Sequence, residues 1–158
     1  MKESDIILTQ LRELCASQQL AVLATEDRGH PYTSMVAFAV TDDQRRLFFA
    51  TNRDTRKFAN MQSNLHVSLL IDNRTNSARD FTHAIAATLL GECRELSGTE
   101  KEDALLLYLN KHPGLEGFVT SARCAFMEVT VYSCYLVNQF QQVTECHFLD
   151  SRRKPLRE

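Results

Sequence analysis

The feature that most constrains this chain is a succession of short apolar runs joined by tight polar turns. Leu20–Thr25 stops at Asp27-Arg28-Gly29, Pro31–Val40 stops at Thr41-Asp42-Asp43-Gln44, and Leu47–Thr51 follows. Turns this short join antiparallel neighbours, because a parallel pair needs a crossover of about a dozen residues. Leu20–Thr25 is apolar on both faces, which suits a strand packed on two sides. Runs at His66–Asp72 and Ala84–Leu96 predict two further strands, with Gly91 marking a bend in the second. Late strands are expected near Cys124–Val131 and Tyr135–Phe148.

Three helices fit between these runs. Ile7, Leu8, Leu11, Leu14 and Cys15 recur at helical spacing, with Ser4 as the expected N-cap. A short helix over about Asp54–Gln62 has Phe58, Met61 and Leu65 on its inner face. Asn73–Asp80 reads as a polar loop. Thr99 and Glu102 form a candidate capping box for a helix that continues over Ala104–Asn110 and ends at His112-Pro113-Gly114. This order is not the βαβ alternation of a doubly wound sheet. It predicts a mainly β fold with peripheral α-helices, an antiparallel barrel closed or split. Residues 1–150 are expected to form a single domain, followed by a basic tail over 151–158.

Composition narrows the function classes. Eighteen Lys and Arg against twenty Asp and Glu leave a net charge of −2, so no nucleic acid and no anionic membrane is expected as the main partner. No apolar run reaches transmembrane length. The N-terminus opens straight into the first amphipathic helix, without a basic and apolar leader pattern. The five cysteines form no CxxC pair, and the histidines show no ligand spacing. A cytoplasmic protein with packed thiols and no metal is the expectation, with Cys134 and Cys146 as strand residues. No P-loop, GxGxxG or Ser-His-Asp order is present.

The segment that carries chemistry is Ala50-Thr51-Asn52-Arg53-Asp54-Thr55-Arg56-Lys57. Here Arg53, Arg56 and Lys57 crowd the start of the short helix, where the macrodipole is already positive. A phosphate would resolve that conflict through backbone N–H groups, the Thr55 hydroxyl and the cationic side chains. The alternative is a solvated basic face with Asp54 as the cap.

The stretch Leu20–Asp72 resembles the flavin-binding half of the pyridoxamine 5′-phosphate oxidase-like family, the FMN-binding split barrels. The resemblance rests on Ala21-Val22-Leu23-Ala24-Thr25, Gly29, Pro31, Ala50-Thr51-Asn52, Thr55-Arg56-Lys57 and Val67-Ser68-Leu69-Leu70-Ile71, in that order. It implies that Thr55, Arg56 and Lys57 bind the FMN phosphate. Ala50 and Thr51 would line the ribityl chain and ring edge, and the strand Ser34, Met35, Val36, Ala37 would lie along the ring, largely through backbone groups. Met35 is a candidate soft contact for the ring or, alternatively, a barrel-core side chain. Tyr32 either flanks the slot or is an ordinary surface tyrosine.

The resemblance further implies a homodimer with the flavin at the subunit interface. The charged "RxVLLK" strand of the vitamin B6 oxidases is replaced here by Ser34-Met35-Val36-Ala37-Phe38-Ala39, and their C-terminal substrate segment has no match. The expectation is therefore an FMN-dependent oxidoreductase of an unidentified small molecule, not a true vitamin B6 oxidase. The alternatives are a non-catalytic flavin- or haem-binding module, or a deazaflavin in place of FMN.

Overall fold

The structure is a computed structural model that describes residues 2–139 and 142–148. Its elements are α1 (Glu3–Ser17), β1 (Leu20–Asp27), β2 (His30–Val40), β3 (Arg46–Asn52), α2 (Arg56–Ser63), β4 (His66–Asp72) and α3 (Asp80–His83). They continue with β5 (Ile85–Glu95), α4 (Gly98–Lys111), a 3₁₀ turn (Pro113–Leu115), α5 (Glu116–Val119), β6 (Cys124–Asn138) and β7 (Gln142–His147). Every strand pairing is antiparallel, in the order β3-β2-β1-β4-β5-β6-β7, and β3 also pairs with β6. Six strands therefore close into a barrel, and β7 extends the sheet beyond it. This is the mainly β split barrel that the tight turns predict.

The turns explain the closure. Arg28 and Gly29 both have positive φ, 52° and 81°, which gives the two-residue turn whose twist matches antiparallel strands. At Gly91 the register with β6 shifts, and a Cβ there would meet the Thr130 carbonyl oxygen and Val129 Cγ1 at 2.5 Å. Only glycine lets the two strands approach this closely.

The barrel interior holds Leu23, Val36, Phe38, Leu47, Phe49, Leu69, Leu89 and Val129, with Ile7, Leu11, Leu14 and Cys15 of α1 packed against them. A second cluster lies outside the barrel. There Ala104 and Tyr108 of α4, with Val119, cover Ala39, Phe48, Ala50, Cys124 and Phe126. Lining both faces of β3 with apolar groups is what its unbroken run requires.

Some local expectations change. Lys2, not Ser4, occupies the α1 N-cap, and the Asp5 carboxylate accepts its backbone N–H at 3.3 Å. The N-cap of α4 is Ser97, because Gly98 at φ 61° turns the chain into the helix ahead of Thr99. The two late strands near 124–131 and 135–148 are one long strand, β6, followed by β7. The register steps from Leu90↔Ser133 to Gly91↔Val131, so Tyr132 is absorbed as a bulge where the sequence reads as a break. The basic tail over 151–158 lies outside the described residues.

Candidate functional site

The corner between β3 and α2 is built by two threonines. Thr55 occupies the N-cap, where its hydroxyl accepts from Phe58 N at 3.3 Å and donates to the Asn52 carbonyl at 2.8 Å. Thr51, buried at the end of β3, lies 2.9 Å from it, Oγ1 to Oγ1. The next two amides, Arg56 N and Lys57 N, belong to the first helical turn and have no intrahelical acceptor.

The charges at this corner sort into two sets. Arg53 is committed to Glu95, with Nη2 to Oε2 at 3.0 Å, and its guanidinium lies 5.7 Å from the Phe58 ring centroid. Asp54 pairs with Arg123 at 3.0 Å instead of capping the helix. Arg56 and Lys57 have no carboxylate partner among the described residues. Arg56 instead sits 5.6 Å from the ring centroid of Tyr32, which ties the start of α2 to the start of β2.

β2 is paired with β1 from His30↔Asp27 to Ala37↔Leu20, but with β3 only from Phe38↔Phe49 to Val40↔Leu47. Phe38 N reaches the Gln19 carbonyl at 3.4 Å, on the β1 side. Antiparallel alternation then turns the backbone groups of Thr33 and Met35 outward, along the edge that β3 leaves open. Where that edge begins, α4 holds the strand: the Tyr108 hydroxyl donates to the Ala37 carbonyl at 3.2 Å, and His112 Nε2 lies 2.7 Å from the Phe38 carbonyl.

The residues expected at the ring divide. Met35 is 64% exposed on the outer face, which excludes a barrel-core role. Val36 is buried in the barrel, and Ala37 and Ala50 pack their side chains against the α4 cluster. The Ser34 hydroxyl oxygen is out of solvent and has no hydrogen-bond partner among the described residues. Thr51, Thr55, Arg56 and Lys57 are brought together at the corner, and Tyr32 joins them through Arg56. Sequence reasoning missed Glu95 as the partner of Arg53, and Tyr108 and His112 as the clamp on β2. The first is a long-range pairing with no local signal. The other two are visible only as helix residues until α4 is seen to lie on β2.

The thiols contribute packing. Cys134 and Cys146 lie directly opposite each other on β6 and β7, and all five cysteines are free. Burial pushes the Cys15 and Cys134 thiols up to about 12.

Two cations without a carboxylate partner among the described residues and two open amides are the donor chemistry that an anion requires. The open strand edge beside them suits a flat body with polar rim groups. The donor set thus fits a phosphate ester carrying an aromatic ring.

A haem-binding protein from Mycobacterium smegmatis superposes with a TM-score of 0.80 at 15% identity, over 93% of this chain and 59% of that one. Campylobacter jejuni ChuZ gives 0.77 at 13% identity, over 93% and 61%. A FAD-binding protein from Mesorhizobium loti gives 0.64 at 15% identity, over 81% and 91%. At these identities the likeness shows the fold alone, and the chain spans about three fifths of the first two proteins. No curated protein matches the sequence. No described helix is long and apolar enough to cross a membrane. Residues 7–135 match the family described as pyridoxamine 5′-phosphate oxidase. With that match over most of its length and a closed six-stranded split barrel, the chain belongs to the pyridoxamine 5′-phosphate oxidase-like family.

Proposed function

We propose that this protein binds FMN, with the phosphate at the start of α2 and the ring along the open edge of β2. One observation carries the reading: Arg56 and Lys57 stand at the positive end of a helix without a carboxylate partner, while Arg53 and Arg123 beside them are both paired. Cations left this way cost stability until an anion joins them. Arg56, Lys57 and their backbone N–H groups hold the phosphate, and Thr51 and Thr55 fix the corner that presents them. The outward N–H and C=O groups of Thr33 and Met35 meet the polar rim of the ring.

Bound there, a flavin supplies hydride and electron transfer. The chain supplies binding and orientation toward a small molecule that the site does not identify. The charged pair of the vitamin B6 oxidase strand is absent from β2, so we place the substrate outside that class. A second copy covers the outer face of β1 and β2, where Leu20 and Met35 stand exposed beside half-buried Val22 and Ala24. This makes the functional unit a homodimer.

The test is a visible absorption spectrum after incubation with FMN and removal of the excess. An oxidised-flavin spectrum is expected, with affinity falling at least tenfold in Arg56→Ala/Lys57→Ala. Absence of flavin after incubation sinks the reading. A Soret band after parallel incubation with haemin would transfer the site to haem.

A further inference from the structure

β2 changes partners at one point. Its ladder with β1 ends at Ala37↔Leu20, and its ladder with β3 begins at Phe38↔Phe49. Ala37, Met35 and Thr33 turn their backbone groups to the same side, so a shift of the strand at Ala37 moves the open row of Met35 and Thr33 with it.

α4 grips this point with two buried side chains one helical turn apart. The Tyr108 hydroxyl donates to the Ala37 carbonyl at 3.2 Å. His112 Nε2 lies 2.7 Å from the Phe38 carbonyl, just past the end of the β1 ladder. A carbonyl only accepts, so Nε2 carries the ring proton. The two rings lie 5.0 Å apart, and Phe126 meets Tyr108 edge-on at 5.3 Å, which holds both side chains in place. Alanines at 37, 39 and 50 leave the room that brings α4 this close to the strand.

Packing alone does not call for these polar groups. Phenylalanine at position 108 would fill the same space, and a buried hydroxyl costs free energy unless it is bonded. Burial pushes the Tyr108 phenol up to about 12, so it stays a donor at neutral pH. What the hydroxyl adds is a fixed position for the Ala37 carbonyl, and through it for the backbone groups two and four residues back. The open row is thereby held at both ends. Arg56 of α2 lies 5.6 Å from the Tyr32 ring centroid at one end, and Tyr108 of α4 holds Ala37 at the other.

We propose that Tyr108 and His112 are positioning residues of the cofactor site, fixing through the Ala37 and Phe38 carbonyls the β2 edge that receives the flavin ring. The proposal rests on the flavin reading and divides that site into two separable halves, a phosphate corner set by α2 and a ring edge set by α4.

The test compares Tyr108→Phe and His112→Gln with the parent chain, using FMN and inorganic phosphate as probes. Flavin fluorescence reads FMN affinity. Visible circular dichroism at saturating FMN reads how firmly the ring is held. Competition of inorganic phosphate against FMN reads the α2 corner. Tyr108→Phe is expected to weaken FMN binding at least fivefold and to halve the visible dichroism, with the phosphate inhibition constant unchanged. His112→Gln is expected to act in the same direction. Val119→Ala opens a cavity in the same cluster and removes no hydrogen bond, so it is expected to keep the parent values. Parent values in both clamp variants, a weakened phosphate inhibition in Tyr108→Phe, or the same loss in Val119→Ala overturns the proposal and leaves the flavin reading standing. Loss of the folded far-ultraviolet spectrum in both clamp variants also overturns it, because the clamp is then structural. A parent chain that takes up no FMN sinks the flavin reading itself, and this proposal with it.

Discussion

The Lys111 ammonium donates to the Cys15 carbonyl at 2.8 Å while lying 3.9 Å from the centroid of the Phe38 ring. Three elements meet at this one group: the end of α4, the end of α1 and the inner face of β2. Cys15 lies in the last turn of α1, where carbonyls lack intrahelical donors and where α1 has no basic residue of its own. Lys111 therefore supplies from another helix what α1 lacks.

Replacing Lys111 with Met keeps the apolar stem and removes the charge. The expected loss is about 1 kcal/mol at neutral pH, from the hydrogen bond and the cation–π contact. Burial holds the Lys111 ammonium below its ordinary 10.5. The unfolded chain then binds more protons than the folded one between the lowered value and 10.5, so this group makes stability rise with pH across that window. The gap between parent and Lys111→Met is therefore expected to widen as the pH is raised toward 10.5. Urea unfolding at a series of pH values checks this; a gap that narrows refutes it.

Glu128 is only 3% exposed and is clamped by two arginines from neighbouring strands, Arg46 Nε at 2.8 Å and Arg94 Nε at 3.1 Å. Glu128→Ala leaves Arg46 without its carboxylate, while Arg94 keeps Glu100 at 2.9 Å. Both arginines are half exposed and recover some hydration, which places the cost near the lower end of the range for a broken buried pair, about 2–3 kcal/mol. The midpoint of denaturant unfolding reads this directly. Glu128→Gln, which keeps the shape and one acceptor oxygen, should lose less.

Gly91→Ala drives a methyl group into the Thr130 carbonyl oxygen and Val129 Cγ1, both at 2.5 Å. Neither can withdraw without opening the β5–β6 bulge. The expected destabilisation is about 2 kcal/mol or more, measured as a drop in melting temperature. Gly114→Ala, with nothing within 4 Å of the added Cβ, is the matched control.

Cys15, Cys93, Cys124 and Cys134 are buried, and burial pushes each thiol up from 9.0. Thiolate is the reactive form, so these four are expected to be inert to an aromatic disulfide reagent at neutral pH. Cys146 is half-buried and is expected to react first. Stopped-flow thiol counting should give one native equivalent and five after unfolding in denaturant. A second fast native thiol would contradict the packing described above.

Much of the architecture was legible because it is written locally. Asp27-Arg28-Gly29 dictates its hairpin, the doubly apolar Leu47–Thr51 run dictates a strand covered on both faces, and Thr55-Arg56-Lys57 marks the helix start. The misreadings came from features that only pairing reveals. Tyr132 looks like the end of a strand until Leu90 and Gly91 are seen opposite it. The commitments of Arg53 and Asp54 depend on Glu95 and Arg123, far away in sequence. The shape of the 73–84 segment rests on Asp80, whose side-chain bonds to three successive amides no spacing rule announces.

The half-paired β2 strand carries one more consequence. Its outward edge is a ready template for strand addition by other molecules, the usual beginning of aggregation. Pro31 sits on that edge, paired with Glu26 at a position whose N–H would point outward. A proline there removes the outward donor while sparing the ladder to β1. The second residue of the strand thus keeps its exposed end from recruiting a foreign one, and solubility of Pro31→Ala at high concentration is where that protection would be seen to fail.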